Sequence, residues 1–566
     1  MKSANCNRRD PNMPGGLPVG SFSAPLRFIR GLTFLILLSH FFAACKSDPI
    51  KDRPISFSPW RAQETIKYIN NRYDREIDSL EMLPVMVVSH YTAMDSLEVS
   101  FKYMNNEEME SGRDLLKKAG GANIAVQFLV GKGGEIYRLM PENHIGRHVI
   151  GLNRHAIGIE NVGKDEKALT KAQVDANAYI VRHLVKKFPI RYLIAHAEYR
   201  DFEKTPLWEE QDNKYRTEKI DPGESFMQPL RAQLADLNLK SKYDGGEIPS
   251  RLDYLLAAYH KKGEFNGNAL VIRNGEVIFR KAFGEDVKAD DALYLASAAK
   301  SLTAVAVAQL AGEKKLSYST PVSRFFPELK HLLKGVQIRH LLAHTSGLED
   351  YYKLVQPAAG FSNADAVAAL ATQVKPLSRP GTKFHYSNSN FILLAEIVAR
   401  VSGREFTAFV RENIFAPAAM AASYFAAETE PARTLAATDA AGKKFQYLFK
   451  TSGAGGLYST LDDIARFDQA LFSHKLLSAA QFRGVIRPMA KVEKRETEYA
   501  AGWYVYPKTG VIYHDGNFSG YHTMNWLQPA KKNAIILLAN KNTPKIREIT
   551  YEIDRILHGL PAQRLK

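Results

Sequence analysis

A serine and a lysine three residues apart, Ser297-Ala-Ala-Lys300, stand at the head of an Ala/Val-rich run that extends to Leu310. Positions three apart fall on one face of a helix, so the spacing predicts the amine beside the hydroxyl. A serine is a poor nucleophile at neutral pH until a neighbour takes its proton, and an amine desolvated by an apolar helix can do so. If Ser297 opens the helix, the positive end of the helix also favours a developing oxyanion. Taken alone, the same four residues fit an N-cap serine next to a solvated lysine.

A second group has the composition of a metal centre. His90 ends the apolar stretch 82–89, His196 ends the stretch 192–195, Glu160 lies within the stretch 156–162, and Asp221 follows Lys219 in Lys-Ile-Asp-Pro-Gly. A catalytic zinc ion takes three protein ligands of N and O type and keeps one position open. His90, His196 and Asp221 would supply that set. Glu160 would then take a proton from the attacking water, and Lys219 would stabilise the oxyanion of an attacked amide. Singly, each has a plainer reading: a core histidine, a turn aspartate before proline, a solvated lysine. Further along, Tyr386-Ser-Asn388 follows Pro380-Gly381, and His514-Asp-Gly516 follows an apolar triplet. A tyrosine of depressed pKa near a lysine can carry a proton and an asparagine amide can fix a substrate amide, although the same tripeptide would also cap a helix.

The elements that must position these groups are legible in the hydrophobic periodicity. Residues 82–89 read as a buried strand, 124–130 and 135–140 as a hairpin around Gly131-Lys-Gly-Gly134, 156–162 and 192–195 as strands, and 169–188 as a helix stopped by Pro189. Strands alternating with helices predict a mixed α/β sheet with helices packed on it. Residues 234–250 are polar, carry Gly-Gly and a proline, and read as a linker. Beyond them, residues 268–273 and 277–280 flank Asn274-Gly275 as a hairpin. Residues 338–348 read as a helix running into a Gly-stopped turn, 391–401 as a helix, and 511–513 as a strand that delivers His514. The Gly-rich stretch 453–460 lacks the Gly-Lys-Ser/Thr ending of a phosphate loop.

A chain of 566 residues is too long for one domain at roughly 100–200 residues each. Its formal net charge of +16 draws it to anionic surfaces, which include membranes and cell-wall polymers. No nucleic-acid motif accompanies the charge, so no nucleic-acid partner is expected. The two cysteines, Cys6 and Cys45, precede any folded domain, which excludes disulfides and Cys-based metal sites from the core. Arg27 and Arg30 precede the mostly apolar stretch 31–44, too short for an ordinary membrane span and suited to a secretory signal. Ala43 and Ala44 lead directly to Cys45, which resembles a bacterial lipoprotein signal and implies Cys45 as the lipidated mature N-terminus. Phe42 departs from the aliphatic residue usual there, and a plain cleaved signal is the alternative. Met13 is a second possible start.

Six ordered motifs, Val-Val-Ser-His90-Tyr-Thr-Ala, the Gly-rich hairpin, Gly-Arg-His148-Val-Ile-Gly, Ala-Ile-Gly-Ile-Glu160, Ile-Ala-His196 and Lys219-x-Asp221-Pro-Gly, resemble the zinc-dependent N-acetylmuramoyl-L-alanine amidases. That group includes the anhydro-muropeptide amidases and the peptidoglycan-recognition proteins. The resemblance covers residues 82–230 and implies His90, His196 and Asp221 as Zn2+ ligands, Glu160 and Lys219 as catalytic residues, and His148 as a substrate contact. The charged insert 203–218 is longer than the family usually has. Members that bind without cutting tend to lack a metal ligand, and all three are present here.

Ser297-x-x-Lys300, Tyr386-Ser-Asn388 and His514-x-Gly516, with the accompanying His-Thr-Ser-Gly-Leu and Gly-Gly-Leu-Tyr-Ser-Thr strings, resemble the serine beta-lactamase and penicillin-binding-protein superfamily in its class C-like branch. The resemblance spans residues 252–540. It implies Ser297 as the acyl-enzyme nucleophile, Lys300 and Tyr386 as the proton-transfer pair, Asn388 and His514 as substrate contacts, and the backbone N–H groups of Ser297 and Asn517 as the oxyanion hole. His514 replaces the lysine of penicillin-targeted members, and His344 is read as structural.

The expected organisation is a lipoprotein-type signal at 1–45, a tether at 46–55, a mixed α/β amidase domain at 56–238, a linker at 239–251 and a beta-lactamase-like domain at 252–566, the last an antiparallel sheet flanked by helices with an all-helical region. The expected function is an exported cell-wall hydrolase, periplasmic or associated with the outer membrane and anchored through Cys45. Its amidase would cut between N-acetylmuramic acid and L-alanine in peptidoglycan or muropeptides, and its serine domain would act on D-amino-acid peptide bonds. The alternative is a peptidoglycan-binding recognition lipoprotein with an esterase or beta-lactamase domain.

Overall fold

The computed structural model describes residues 48–559 except 74–76, 112–116, 118–119, 429–434, 439–441, 446–448 and 494. The expected signal and Cys45 therefore lie outside the described residues. Among the described residues no helix is long and apolar enough to cross a membrane.

The N-terminal part is built on a six-stranded sheet in the order Ile50–Asp52, Ile136–Arg138, Phe128–Val130, Ala156–Asn161, Met86–Tyr91, Tyr192–Ala195. Phe128–Val130 and Ile136–Arg138 form the antiparallel hairpin expected from the Gly-rich turn, while the pairings among Phe128–Val130, Ala156–Asn161, Met86–Tyr91 and Tyr192–Ala195 are parallel. Strands buried on both faces read as near-continuous apolar runs, which is why Val87, Val88, Ile157, Ile159, Leu193 and Ile194 are buried. Helix Lys171–Val185 covers one face; Thr170 caps it reciprocally with Gln173, and the chain leaves it before Pro189.

Residues 239–251, read from composition as a linker, make defined contacts with both parts of the chain. Lys240 bridges in parallel to Tyr192 at the sheet edge, Asp244 accepts from the Tyr192 hydroxyl at 3.0 Å, and helix Glu247–Lys261 begins inside the segment. Pro249 sits in the first turn, where a missing N–H costs nothing. From this helix Arg251 reaches back to donate to His155 Nδ1 at 2.9 Å, in a buried cluster where Arg154 pairs with Glu209 at 2.8 Å.

The C-terminal part carries an eight-stranded sheet, antiparallel throughout, that ends in Asn533–Ala539, Gly267–Arg273 and Glu276–Phe283. Asn274 and Gly275 both have positive φ (54° and 89°), the requirement of a two-residue type I′ hairpin turn. Helices Glu247–Lys261 and Ile546–Leu557 pack on one face, and a helical layer centred on Lys300–Gly312 and Asn388–Ser402 packs on the other. Lys300–Gly312 is small and apolar all round, the pattern of a helix enclosed in a core, and of its residues up to Leu310 all but Gln309 are buried. The antiparallel sheet flanked by helices is the architecture that the second resemblance implies. The helix read at 338–348 is shorter, Ile338–Leu342, because the chain turns at His344 with φ +56°.

Two candidate active sites

The three parallel strands Ala156–Asn161, Met86–Tyr91 and Tyr192–Ala195 bring the first group together at their C-terminal ends, where open α/β sheets place their sites. His90 lies directly opposite Glu160 in the register, and Ser89 opposite Ala195 sets His196 beside His90. Asp221 arrives from the loop that precedes helix Glu224–Gln233. His90 Nδ1, His196 Nδ1 and Asp221 Oδ2 converge: the two nitrogens are 2.9 Å apart, and Asp221 Oδ2 lies 3.0 Å from His196 and 3.4 Å from His90. For metal–ligand bonds of about 2.0–2.1 Å a tetrahedron has edges of roughly 3.3 Å, so the donors stand at the spacing a Zn2+ ion requires.

Proton bookkeeping supports the same fit. His148 Nε2–H donates to the Ala156 carbonyl at 3.2 Å, which leaves His148 Nδ1 to accept from His90 Nε2–H at 3.0 Å. His90 Nε2 is thus committed to His148, and Nδ1 is the atom that faces the other two donors. Burial pushes His196 down to about 4, so its ring is neutral at pH 7. Two imidazole nitrogens and one carboxylate oxygen thus meet at one point. His148, expected as a substrate contact, has both ring nitrogens engaged inside the protein.

The donors open into a cavity of about 340 Å³ that Glu160 and Lys219 also line. Burial raises Glu160 to about 7, and its Oε2 is buried with no hydrogen-bond partner. A carboxyl poised near neutrality is what a general base needs. The charged insert contributes a wall: Tyr215 and Thr217 line the cavity, with the Tyr199 hydroxyl donating to the Thr217 carbonyl at 2.6 Å.

In the second site, a 3-10 turn Ala296–Ala299 carries Ser297 into helix Lys300–Gly312. Side chains at i and i+3 eclipse in such a turn, and Lys300 Nζ lies 3.0 Å from Ser297 Oγ. The amine also donates to Asn388 Oδ1 at 2.7 Å and to the Ala454 carbonyl at 2.8 Å. A neutral amine has two N–H donors and one lone pair, so those two acceptors orient the lone pair toward Ser297. Lys300 is fully buried, and desolvation lowers it from the usual 10.5 to about 7. The Gly-rich stretch is explained here: it brings the backbone carbonyl of Ala454 against the amine, and Thr303 Oγ1 donates to the Gly453 carbonyl at 2.8 Å.

Tyr386 shares a cavity wall with Ser297 and stacks on His344 with ring centroids 4.3 Å apart. Its titration differs from the depressed value considered from sequence: burial pushes the phenol well above 10, so it keeps its proton at neutral pH, where Lys300 can release its own. His514 and Asn517 line the same cavity of about 500 Å³. His514 Nδ1–H donates to the Asp515 carbonyl at 2.6 Å and Nε2 accepts from the Tyr499 hydroxyl at 3.0 Å, and burial lowers the ring to about 4. His514 is therefore neutral and internally held. Asn388 is likewise engaged at both ends, its Nδ2 donating to Asp350 at 2.8 Å. Asp350, Tyr499 and the Ala454 carbonyl were not singled out in the sequence. Asp350 lies in the His-Thr-Ser-Gly-Leu-Glu-Asp string, but nothing local indicates that it folds onto Asn388, 38 residues away.

Gly516 has a steric reason: a Cβ there would lie 2.1 Å from the Leu295 carbonyl oxygen. Gly516→Ala is expected to cost about 1–3 kcal/mol by overpacking against backbone and to displace the Ser297 turn. Thermal unfolding together with ester turnover checks this; unchanged values for both would remove the steric account.

A model of the family described as Beta-lactamase matches residues 252–557, and a model described as N-acetylmuramoyl-L-alanine amidase matches residues 81–224. Penicillin-binding protein 4* of Bacillus subtilis is 28% identical over 351 residues, covering 55% of this chain and 76% of that protein. Protein flp of Staphylococcus aureus is 24% identical over 336 residues, covering 53% of this chain and 65% of that protein. Among solved structures, the octameric penicillin-binding protein homologue from Pyrococcus abyssi shares the fold with a TM-score of 0.51 at 21% identity, covering 57% of this chain and 79% of that chain. Both halves of the chain are thus hydrolase domains of cell-wall type. Over more than half of its length the chain belongs to the beta-lactamase family, joined to a region that matches the N-acetylmuramoyl-L-alanine amidases.

Proposed function

We propose that the chain is a two-site cell-wall hydrolase: a zinc amidase that separates N-acetylmuramic acid from L-alanine, and a serine acyl-enzyme hydrolase that acts on D-amino-acid peptide bonds of the same polymer. The observation that carries the first half is the convergence of His90 Nδ1, His196 Nδ1 and Asp221 Oδ2 in the cavity that also holds Glu160 and Lys219. Zn2+ held by those three residues would supply Lewis-acid polarisation of the scissile carbonyl. Glu160 takes a proton from the attacking water and returns it to the departing amine of L-alanine, and the Lys219 ammonium offsets the charge on the tetrahedral oxyanion.

In the serine site Lys300 accepts the Ser297 proton as Oγ forms the acyl bond and the C–N bond breaks; the Tyr386 phenol protonates the leaving amine and takes its proton back from the Lys300 ammonium, which restores the neutral amine. Water then hydrolyses the ester, with Lys300 again as base. Because His514 is neutral, a substrate carboxylate finds its cation at the rim, where Arg495 lies over the Tyr504 ring at 5.4 Å. We read the chain as exported and lipid-anchored through Cys45, as its N-terminal sequence suggests.

Mass spectrometry of defined muropeptides digested by wild type and Ser297→Ala, with and without a zinc chelator, tests the proposal. Free stem peptide that disappears with chelation is expected, with a further D-amino-acid release that disappears only in Ser297→Ala. Stoichiometric zinc with no released peptide would overturn the amidase half and favour a recognition module.

A further inference from the structure

Asn388 can serve Lys300 only if its amide is oriented with oxygen toward the amine. A flipped amide would present N–H groups to a neutral amine whose own hydrogens need acceptors, and the lone pair would lose its direction toward Ser297. The two ends of an asparagine side chain are nearly the same shape, so packing cannot choose between them and a hydrogen-bond partner must.

That partner is Asp350. Its Oδ2 accepts from Asn388 Nδ2 at 2.8 Å and from the Asn388 backbone N–H at 3.0 Å, while Lys300 Nζ donates to Asn388 Oδ1 at 2.7 Å. A carboxylate is an acceptor only, so it excludes the flipped amide outright. Its own position is fixed from both sides. Asp350 Oδ1 accepts from the Tyr352 backbone N–H at 3.1 Å, and the neighbouring Glu349 carbonyl accepts from Ser387 Oγ at 3.1 Å and Ser389 Oγ at 2.8 Å. The loop 344–351 is thereby stitched to the head of helix Asn388–Ser402.

We propose that Asp350 is a positioning residue of the serine site, locking the Asn388 amide so that its oxygen orients the Lys300 amine toward Ser297. The inference rests on the serine acyl-enzyme reading above and deepens it. Asp350 touches no reacting atom and acts through Asn388. A merely structural role is the competing account, since the same carboxylate sits at the start of a helix, where a negative charge is favourable.

Two substitutions separate the accounts. Asp350→Ala removes the clamp, and Asp350→Asn keeps an oxygen in place without the charge. The assay is p-nitrophenyl butyrate hydrolysis by the full chain from pH 5 to 9, with fluorophosphonate labelling of Ser297 and a thermal melt of each variant. The groups that face Lys300 are Asp350 and Asp515, which raise it, the buried rings of His344 and His514, and Tyr386.

Asp350→Ala is expected to lower kcat by about 10- to 100-fold, the cost of misplacing a catalytic group by an ångström, with KM unchanged. Asp350→Asn is expected to keep kcat within about threefold. In both, the rising limb of the pH profile moves to lower pH, because the nearest carboxylate charge that favours the ammonium is gone. A folded Asp350→Ala protein with wild-type kcat and limb overturns the inference, as does a loss confined to KM or to the melt. Wild type that is neither active on the ester nor labelled, and is indistinguishable from Ser297→Ala, overturns the serine reading and this inference with it. Labelling that depends on Ser297 but not on Asp350 overturns this inference alone.

Discussion

Lys300→Met is expected to abolish acylation of Ser297, lowering kcat/KM on activated esters by about 10²- to 10⁴-fold, the usual worth of a positioned base. Methionine matches the lysine stem in length and leaves Ser297, Tyr386 and the cavity in place, so the lost quantity is the proton acceptor. In wild type the rate should rise with pH through about 7, where the buried ammonium gives up its proton. Below that value the amine cannot accept from Ser297.

The sign of the stability effect follows from the same shift. The amine titrates near 10.5 when exposed and near 7 when folded, so between those values the unfolded chain holds a proton that the fold has released. Wild-type stability from this group therefore rises with pH across that window, by at most about a tenfold change in the folding equilibrium per pH unit. Lys300→Met removes that rise. Denaturant titrations at pH 7 and pH 9 on both proteins measure it, and parallel pH dependences for the two would place the base elsewhere. Asn388 Oδ1 and the Ala454 carbonyl lose their donor in the variant, at a cost of about 1–3 kcal/mol each if left dry, which lowers stability at every pH without imitating the slope.

The nucleophile pair and the strand-end residues were the most legible, because their spacing obeys a local rule. Ser297 and Lys300 are three apart, and the turn that carries them needs no information from elsewhere in the chain. His90, Glu160 and His196 each terminate or interrupt an apolar strand, and parallel neighbours bring the same ends of their strands together, so strand order alone aligns them. What the sequence could not show was the use of each polar atom. His148 has the composition of a cleft residue, yet its two nitrogens are consumed by His90 and the Ala156 carbonyl. Asn388 and His514 are likewise satisfied by partners 88 and 15 residues away, Lys300 and Tyr499. The titration of Tyr386 differs for a related reason: a lysine nearby suggests a depressed phenol, but desolvation of the phenol pushes it up instead. Residues 239–251 carry the composition of a linker, and their order comes from an edge strand and a buried histidine that composition does not reveal.

Glu160→Gln is expected to reduce release of stem peptide from muropeptides by about 10²- to 10⁴-fold while leaving bound zinc at the wild-type level. The two readouts separate because the donors and the base are different residues. His90, His196 and Asp221 converge on one point, so His196→Ala should lose zinc and turnover together. Glu160 sits on the adjacent strand opposite His90, and backbone hydrogen bonds fix its distance from the donors. Glutamine keeps the shape and the packing. It removes only the capacity to hold a proton at Oε2, the atom that is buried without a partner. Among the described residues that line this cavity the carboxylates are Glu160 and Asp221, and Asp221 is committed to the two histidines. No second carboxylate of this cavity is therefore free to take over as base. Turnover within threefold of wild type in a zinc-loaded Glu160→Gln protein would show that the proton leaves by another route, and the role of Glu160 would then be confined to filling the wall of the cavity.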